Sequence, residues 1–333
     1  MLRQRTSWIT MLVLIVGLLI FAALTSRNLG TFGITVLSGL FQAMLLFLVA
    51  SGLSIVFGLM DVLNFAQGGF FMIGAYVAYD VHHPGGLIDL TSTIPNADLR
   101  FLISVLAAIA IGSLLGAFLE RGLLRPLYAR PIFQLVLTFG VSLVLIEAVR
   151  FIWSTTPYSW TVLFSVREGS FTLFDQQFST YRLFVIGIGF FLIVAIALLL
   201  QRTRIGIIIR AGVEDSGMVE ALGINVRAVF TLVFTFGCAV AAFGGAIAAP
   251  FLGASIGMSS NFLLSAIAVV VLGGLGSYVG TAAGSILVGL AIAVMANYSA
   301  EFLNLPVLAS MTPMLLLILV LLLRPSGLFG ERR

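Results

Sequence analysis

The chain has 333 residues, 60% of them hydrophobic and 9% charged, with a mean hydropathy of +1.17, whereas a soluble domain carries roughly a quarter charged residues. That composition excludes a soluble globular protein. All 17 basic residues are arginines, so the lysine that a GxxxxGK[ST] phosphate loop or a Schiff-base cofactor requires is missing.

If the protein uses ATP, another chain hydrolyses it. Two histidines, His82 and His83, and one cysteine, Cys238, are too few for a Cys-rich zinc site, an iron–sulfur cluster or a bis-histidine haem pair in the membrane. The expectation is therefore no metal, no bound cofactor and no catalytic residue in this chain. Cys238 sits in an apolar run and reads as a small buried hydrophobe. The net charge of +4 and pI near 9.6 do not point to nucleic acid, because the arginines fall in small groups between apolar runs instead of along one face.

A bilayer core of about 30 Å needs roughly 20 apolar residues per helix. In chain order the sequence predicts ten spans, at about 8–24, 33–59, 64–80, 101–119, 132–152, 183–200, 228–249, 261–277, 281–299 and 307–323. The result is an all-α polytopic membrane protein, with residues 1–333 forming one transmembrane domain. The first span follows Arg3 and Arg5 like a signal peptide, but its apolar length exceeds a usual signal core. The breaks around Asp61 and Gly280 are very short. No internal repeat is visible.

Positive charge near span ends is retained on the cytoplasmic side. With the N-terminus inside, twelve arginines fall inside: Arg3, Arg5, Arg121, Arg125, Arg130, Arg202, Arg204, Arg210, Arg227, Arg324, Arg332 and Arg333. Five fall outside: Arg27, Arg100, Arg150, Arg167 and Arg182. Both termini are therefore expected to be cytoplasmic. Two outer loops are long, at about 81–100 and 153–182. The first holds His82, His83 and a Pro/Gly group and reads as solvated irregular loop. In the second, β-formers flank REG, which suggests a small hairpin about a glycine turn.

Charge within the spans is sparse. Asp61 falls in a short inner turn, and Glu147 and Arg150 can pair along one helix face. No carboxylate chain for proton or sodium coupling and no nucleophile–base pair is apparent. Small and polar residues carry more signal. From Gly58 to Tyr76 an apolar region is broken by Asn64, Gln67, Gly68 and Gly69. A second stretch, from Val270 to Gly289, is thinned by Gly273, Gly274, Gly276, Gly280 and Gly284. Broken helices can aim free termini at a solute, and glycines also serve tight helix packing. Asn64, Gln67, Gly68, Gly273, Gly274 and Gly276 are the candidates for a translocation path.

The inner loop, about 201–227, contains RAGVEDSGMVEALGINVR. Asp215 or Ser216 can cap a short helix there, and Gly223 can end it in the left-handed conformation. Met218, Val219 and Leu222 supply apolar contacts, suiting the segment to a groove in another protein. An amphipathic connector lying on lipid has the same composition.

At these residues the chain resembles the LivH-type permeases of the branched-chain amino acid class of ABC importers. NFAQGGFFMIGAY, RPLYARPIFQLVLTFGVSL, EDSGMVEALGINVRAVFTLVFTFG, VVLGGLGSYVGTAAGSILVG and LRPSGLFG match that family's segments in order, over about residues 35–330. Departures lie at Gln67, where the family usually has histidine, and at Gly69, where an acidic residue is common. A solute that touched those positions would differ from an ordinary branched-chain amino acid. The resemblance implies a bacterial inner-membrane permease working with a second, LivM-like permease, two ATP-binding subunits and a periplasmic solute-binding protein. It places ATPase coupling on the inner loop, at Arg210, Glu214, Asp215, Glu220, Ala221, Gly223 and Arg227. An ion-coupled secondary transporter, a permease of the same family for urea, amides or aromatic acids, and a membrane anchor of an enzyme complex are the alternatives.

Overall fold

In lipid every backbone amide needs an internal partner, so long apolar runs can cross only as helices or closed barrels. The computed structural model, which describes residues 2–128, 130–173, 176–214, 216–324 and 327–330, folds the long apolar runs of the sequence as helices. In order the elements are α1 (Leu2–Thr25), α2 (Leu29–Met60), α3 (Gln67–His82), α4 (Ala97–Leu119), α5 (Pro131–Trp153), α6 (Ser165–Glu168), α7 (Thr180–Arg202), α8 (Arg204–Glu214), α9 (Ser216–Ala221), α10 (Val226–Leu252), α11 (Gly257–Gly273), α12 (Tyr278–Tyr298) and α13 (Val307–Leu323). Between α6 and α7 lie β1 (Ser170–Leu173) and β2 (Gln176–Ser179).

Helices occupy all ten stretches expected from the sequence. Among the described residues seven are long and apolar enough to cross a membrane, those of α1, α2, α4, α5, α7, α10 and α12. Helices α11 and α13 are apolar but shorter, and α3 has 16 residues, which is about 24 Å against a core of about 30 Å. The chain is thus a polytopic helical membrane protein. Its exposed surface carries the inverse of a soluble pattern: Leu12, Val13, Leu24, Phe133, Val136, Phe151 and Phe191 all face outward.

Two compact units emerge. One comprises residues 51–165 and 191–264. Its centre is α10 packed against α3 and α4, and the packing depends on absent side chains. A Cβ on Gly74 would lie 1.9 Å from the Ala242 carbonyl oxygen, and one on Gly245 would lie 1.8 Å from that of Phe71. Two helices therefore touch backbone to backbone, as small-residue interfaces in membranes allow. Around this contact Val56, Val62, Ala66, Phe70, Leu119, Leu124, Phe234, Cys238 and Ala241 form a fully apolar core. Helix α4 starts on Asn96, whose Oδ1 accepts from the amides of Asp98 (2.9 Å) and Leu99 (3.1 Å). It ends in a π-helical turn, Glu120–Leu124, followed by a 3-10 turn, Arg125–Leu127.

The two long connections of this unit are knitted together. Asp80, buried at the end of α3, accepts from the amides of Leu87 (3.0 Å) and Ile88 (3.1 Å) and from Trp153 Nε1 (3.2 Å). His82 and His83 are buried instead of solvated, a correction to the sequence expectation. Helix α3 extends as far as His82, and aromatic residues of the later connection cover both rings. His82 stacks on Trp160 with centroids 4.8 Å apart, and His83 stacks on Tyr79 at 4.0 Å. His83 Nε2 accepts from the Thr161 amide (3.1 Å) while Nδ1 lies 3.1 Å from the Tyr79 carbonyl. A backbone amide can only donate, so this ring is the neutral Nδ1–H tautomer.

The other unit comprises residues 1–50, 166–190 and 265–333. There α12 contacts both α1 and α13. The hairpin is real but displaced from the expected position. Strands β1 and β2 pair antiparallel, Ser170 opposite Ser179 and Leu173 opposite Gln176. The two residues that join the strands, 174–175, lie outside the described residues. Gly169 instead precedes β1, its carbonyl accepting from the Thr180 amide at 2.9 Å, and Ser165–Glu168 is helical. Hydrogen bonding across the strands decided the register, which composition did not reveal.

Replacing Gly74 or Gly245 by alanine should destabilise the detergent-solubilised protein by about 3 kcal/mol, the upper range for overpacking, read as a lowered thermal midpoint. Gly140→Ala, with open space around it, should leave the midpoint unchanged or raise it. Asp89 gives a pH prediction. The Thr91 hydroxyl, then the Gly85 and Thr91 amides, hold its carboxyl down at about 2 from 3.8. A depressed carboxylate supplies stability above its unfolded value that is lost as pH falls through the folded one. The protection of the Gly85 and Thr91 amides, as exchange rate relative to the intrinsic rate at each pH, should therefore fall between about pH 4 and pH 2, and Asp89→Asn should abolish that dependence.

Candidate functional site

Helix α2 stops at Asp61, whose φ of 51° is left-handed, and Gln67 opens α3. The five residues between lie outside both helices, and Asn64 and Gln67 tie this break together by side-chain hydrogen bonds. Asn64 Oδ1 accepts from the Ala66 amide (3.1 Å), and its Nδ2 donates to Gln67 Oε1 (3.2 Å). Gln67 Nε2 then donates to the Gly237 carbonyl in α10 (2.9 Å). Asn64 Nδ2 also lies 3.8 Å from Cys238 Sγ. Both carboxamides are completely buried. Unsatisfied, each would cost roughly 2–7 kcal/mol.

Glycine makes this junction possible. A Cβ on Gly52 would sit 2.3 Å from Gln67 Nε2, and one on Gly68 would sit 2.0 Å from the Ser259 carbonyl oxygen. The structure thus joins Asn64 and Gln67 in a buried hydrogen-bonded junction with α10, while Gly68 lies against Ser259 of α11. The remaining path candidates lie in the other unit, at the α11–α12 turn. Gly274 (φ 106°) and Gly276 (φ 76°) are left-handed, and a Cβ on Gly273 would meet the Gly280 carbonyl oxygen at 2.3 Å. The turn is closed by a later segment: the amides of Leu328 and Phe329 donate to the carbonyls of Leu272 (2.8 Å) and Gly273 (2.9 Å). These are carbonyls that the end of α11 would otherwise leave open.

The loop expected to couple to an ATPase folds as α8 and α9. Arg210 and Glu214 belong to α8, their side chains outside the described set, and Asp215 lies outside the described residues. Helix α9 ends as its sequence predicts. Gly223 is left-handed (φ 81°), its amide donates to Glu220 O (2.9 Å), and the Ile224 amide donates to Val219 O (3.3 Å), the paired bonds of a Schellman cap. Val219 is buried, while Met218 and Leu222, one turn apart, are 65% and 73% exposed. Glu220, Ala221 and Arg227 are exposed as well. Asn225 then caps α10 by accepting from the Ala228 amide (3.1 Å). The Glu147–Arg150 pair forms as expected, at 2.7 Å, and is exposed.

Sequence reasoning missed the most buried carboxylate near this loop. Glu120, in the π-helical turn, has no exposed surface. Its Oε1 accepts from the Tyr128 hydroxyl and lies 3.6 Å from Arg125 Nε, and its Oε2 accepts from the Thr231 hydroxyl at 2.5 Å. Burial and the hydrogen bond to Glu120 push the Tyr128 phenol well above its ordinary range. The one visible signal was a lone acidic residue five positions before the Arg-Pro pair.

The family described as the permease component of the branched-chain amino acid transport system matches residues 35–322. The high-affinity branched-chain amino acid transport system permease protein LivH of Escherichia coli K12 is 30% identical over 294 residues, 85% of this chain and 91% of that protein. The corresponding permease protein BraD of Pseudomonas aeruginosa is 30% identical over 295 residues, with the same coverage. A probable LivH of Methanocaldococcus jannaschii is 26% identical over 86% of this chain and 89% of its own length. No solved structure gives a significant match. With a family match across almost the whole membrane region, the chain belongs to the branched-chain amino acid transport system permease component family.

Proposed function

We propose that this chain is the permease subunit of an ABC importer for branched-chain or related amino acids. It forms the translocation path with a second, LivM-like permease, and couples to two separate ATP-binding subunits that hydrolyse ATP. A periplasmic binding protein delivers the solute. The arginine distribution supports ten crossings of a bacterial inner membrane with both termini cytoplasmic. The long connections knitted by Asp80 and His83 then face the periplasm, and α8 and α9 face the cytoplasm.

One observation carries the coupling role. Helix α9 is a short helix that buries Val219, fixes its own end at Gly223 and leaves Met218 and Leu222 exposed side by side. Exposed apolar residues one turn apart on a rigid, capped helix are what a groove in a partner receives. The Asn64–Gln67 junction in one unit and the α11–α12 turn in the other are the candidate elements of the path.

Leu222→Glu leaves the Schellman hydrogen bonds intact and places a charge on the docking face. Co-purification of the ATP-binding subunits should be lost and ATP-driven uptake should fall about a hundredfold, as for truncating an interface anchor of 2–4 kcal/mol. Unchanged recovery of the ATP-binding subunits and unchanged uptake would refute the coupling assignment.

A further inference from the structure

A carboxylate wholly removed from water persists only where its oxygens are satisfied, and the partners of Glu120 come from two distant stretches of chain. From its own connection come Tyr128, whose hydroxyl donates to Oε1, and Arg125. From the second turn of α10 comes Thr231, whose hydroxyl donates to Oε2 at 2.5 Å. Arg125 Nη2 closes the ring by donating to Thr231 Oγ1 at 3.0 Å. The Tyr128 ring also meets Phe230 edge-on, with centroids 5.5 Å apart. The π-helical turn at Glu120–Leu124 is a rare irregularity of a kind frequent at functional sites.

Thr231 lies close in chain to the end of α9. Only residues 222–225 separate α9 from α10, and they are held by the Gly223 cap and the Asn225 cap. The backbone from α9 to Thr231 is hydrogen-bonded almost without interruption, and both α8 and α9 also contact α10.

We infer that Glu120 is a positioning residue for energy coupling: it locks the first turns of α10 to the end of α4, so that movement of α9 shifts α3, α4 and α10 together. This rests on the reading of α9 as the ATPase-docking helix. Without the lock, a push on α9 is absorbed at the start of α10, and ATP is hydrolysed without transport.

The test uses the whole transporter, with its ATP-binding subunits and binding protein, in proteoliposomes with radiolabelled leucine as the probe. ATP hydrolysed per leucine taken up is measured for wild type, Glu120→Gln, Thr231→Val and Thr231→Ser. Gln and Val variants should assemble and retain basal ATPase, while the ratio rises about tenfold, the size expected for losing a hydrogen bond to a buried charge. Thr231→Ser, which keeps the hydroxyl, should stay within about twofold of wild type. A purely structural staple would instead lower assembly, hydrolysis and uptake in proportion, and an unchanged ratio in Glu120→Gln and Thr231→Val overturns the inference alone. Absence of ATP-driven uptake in wild type of leucine and of each of the other common amino acids would overturn the functional reading and this inference with it. If Glu120→Gln does not assemble, Thr231→Val and Tyr128→Phe, each removing one hydroxyl, decide the question by the same ratio.

Discussion

Lipid tails are as apolar as leucine, so burying a leucine between two helices gains almost nothing over leaving it in the bilayer. That constraint shapes the unit built on α3, α4 and α10. What holds it is approach too close for a side chain, as where Gly74 meets the Ala242 carbonyl and Gly245 meets that of Phe71. Dispersion across such contacts scales with the number of atoms in reach, and backbones in contact bring many. The large apolar residues are free to face outward, and Phe133, Val136 and Phe151 do so.

Close backbones leave little room for water, so the buried carboxylates and carboxamides of this unit are met by protein groups. Gln67 reaches the Gly237 carbonyl, Glu120 reaches Tyr128 and Thr231, and Asp80 reaches two amides and an indole. The links from Gln67 to Gly237, from Glu120 to Thr231 and from Asp80 to Trp153 each tie a helix end to a segment far away in sequence. The polar residues thus act where helices stop, and the stretches between them are left to shape. A transport cycle that moves helices as bodies needs such stiff ends.

What the sequence disclosed follows the same division. Apolar runs located the seven described helices long enough to cross a membrane, and the left-handed end of α9 could be read from Gly223, because these features depend on a few consecutive residues. The burial of His82 and His83 could not be read, since it depends on Trp160 arriving from another connection. Glu120 escaped notice for the same reason: its partner Thr231 lies 111 residues away. The hairpin was legible as a hairpin but not in its register, because register is decided by cross-strand pairing. At the candidate path, Asn64 and Gln67 stood out as polar residues in an apolar region, yet only the structure gives their hydrogen-bonding to α10.

The closure of the α11–α12 turn bears on the order in which the protein is made. The carbonyls of Leu272 and Gly273 are satisfied by the amides of Leu328 and Phe329, which emerge from the ribosome only after α12 and α13. During synthesis α11 must therefore enter the bilayer with the carbonyls at its end still open to water. Its final setting waits until two further helices have been inserted. A ribosome paused between α12 and α13 would hold a chain whose glycine-rich turn is already translated but still lacks the segment that closes it.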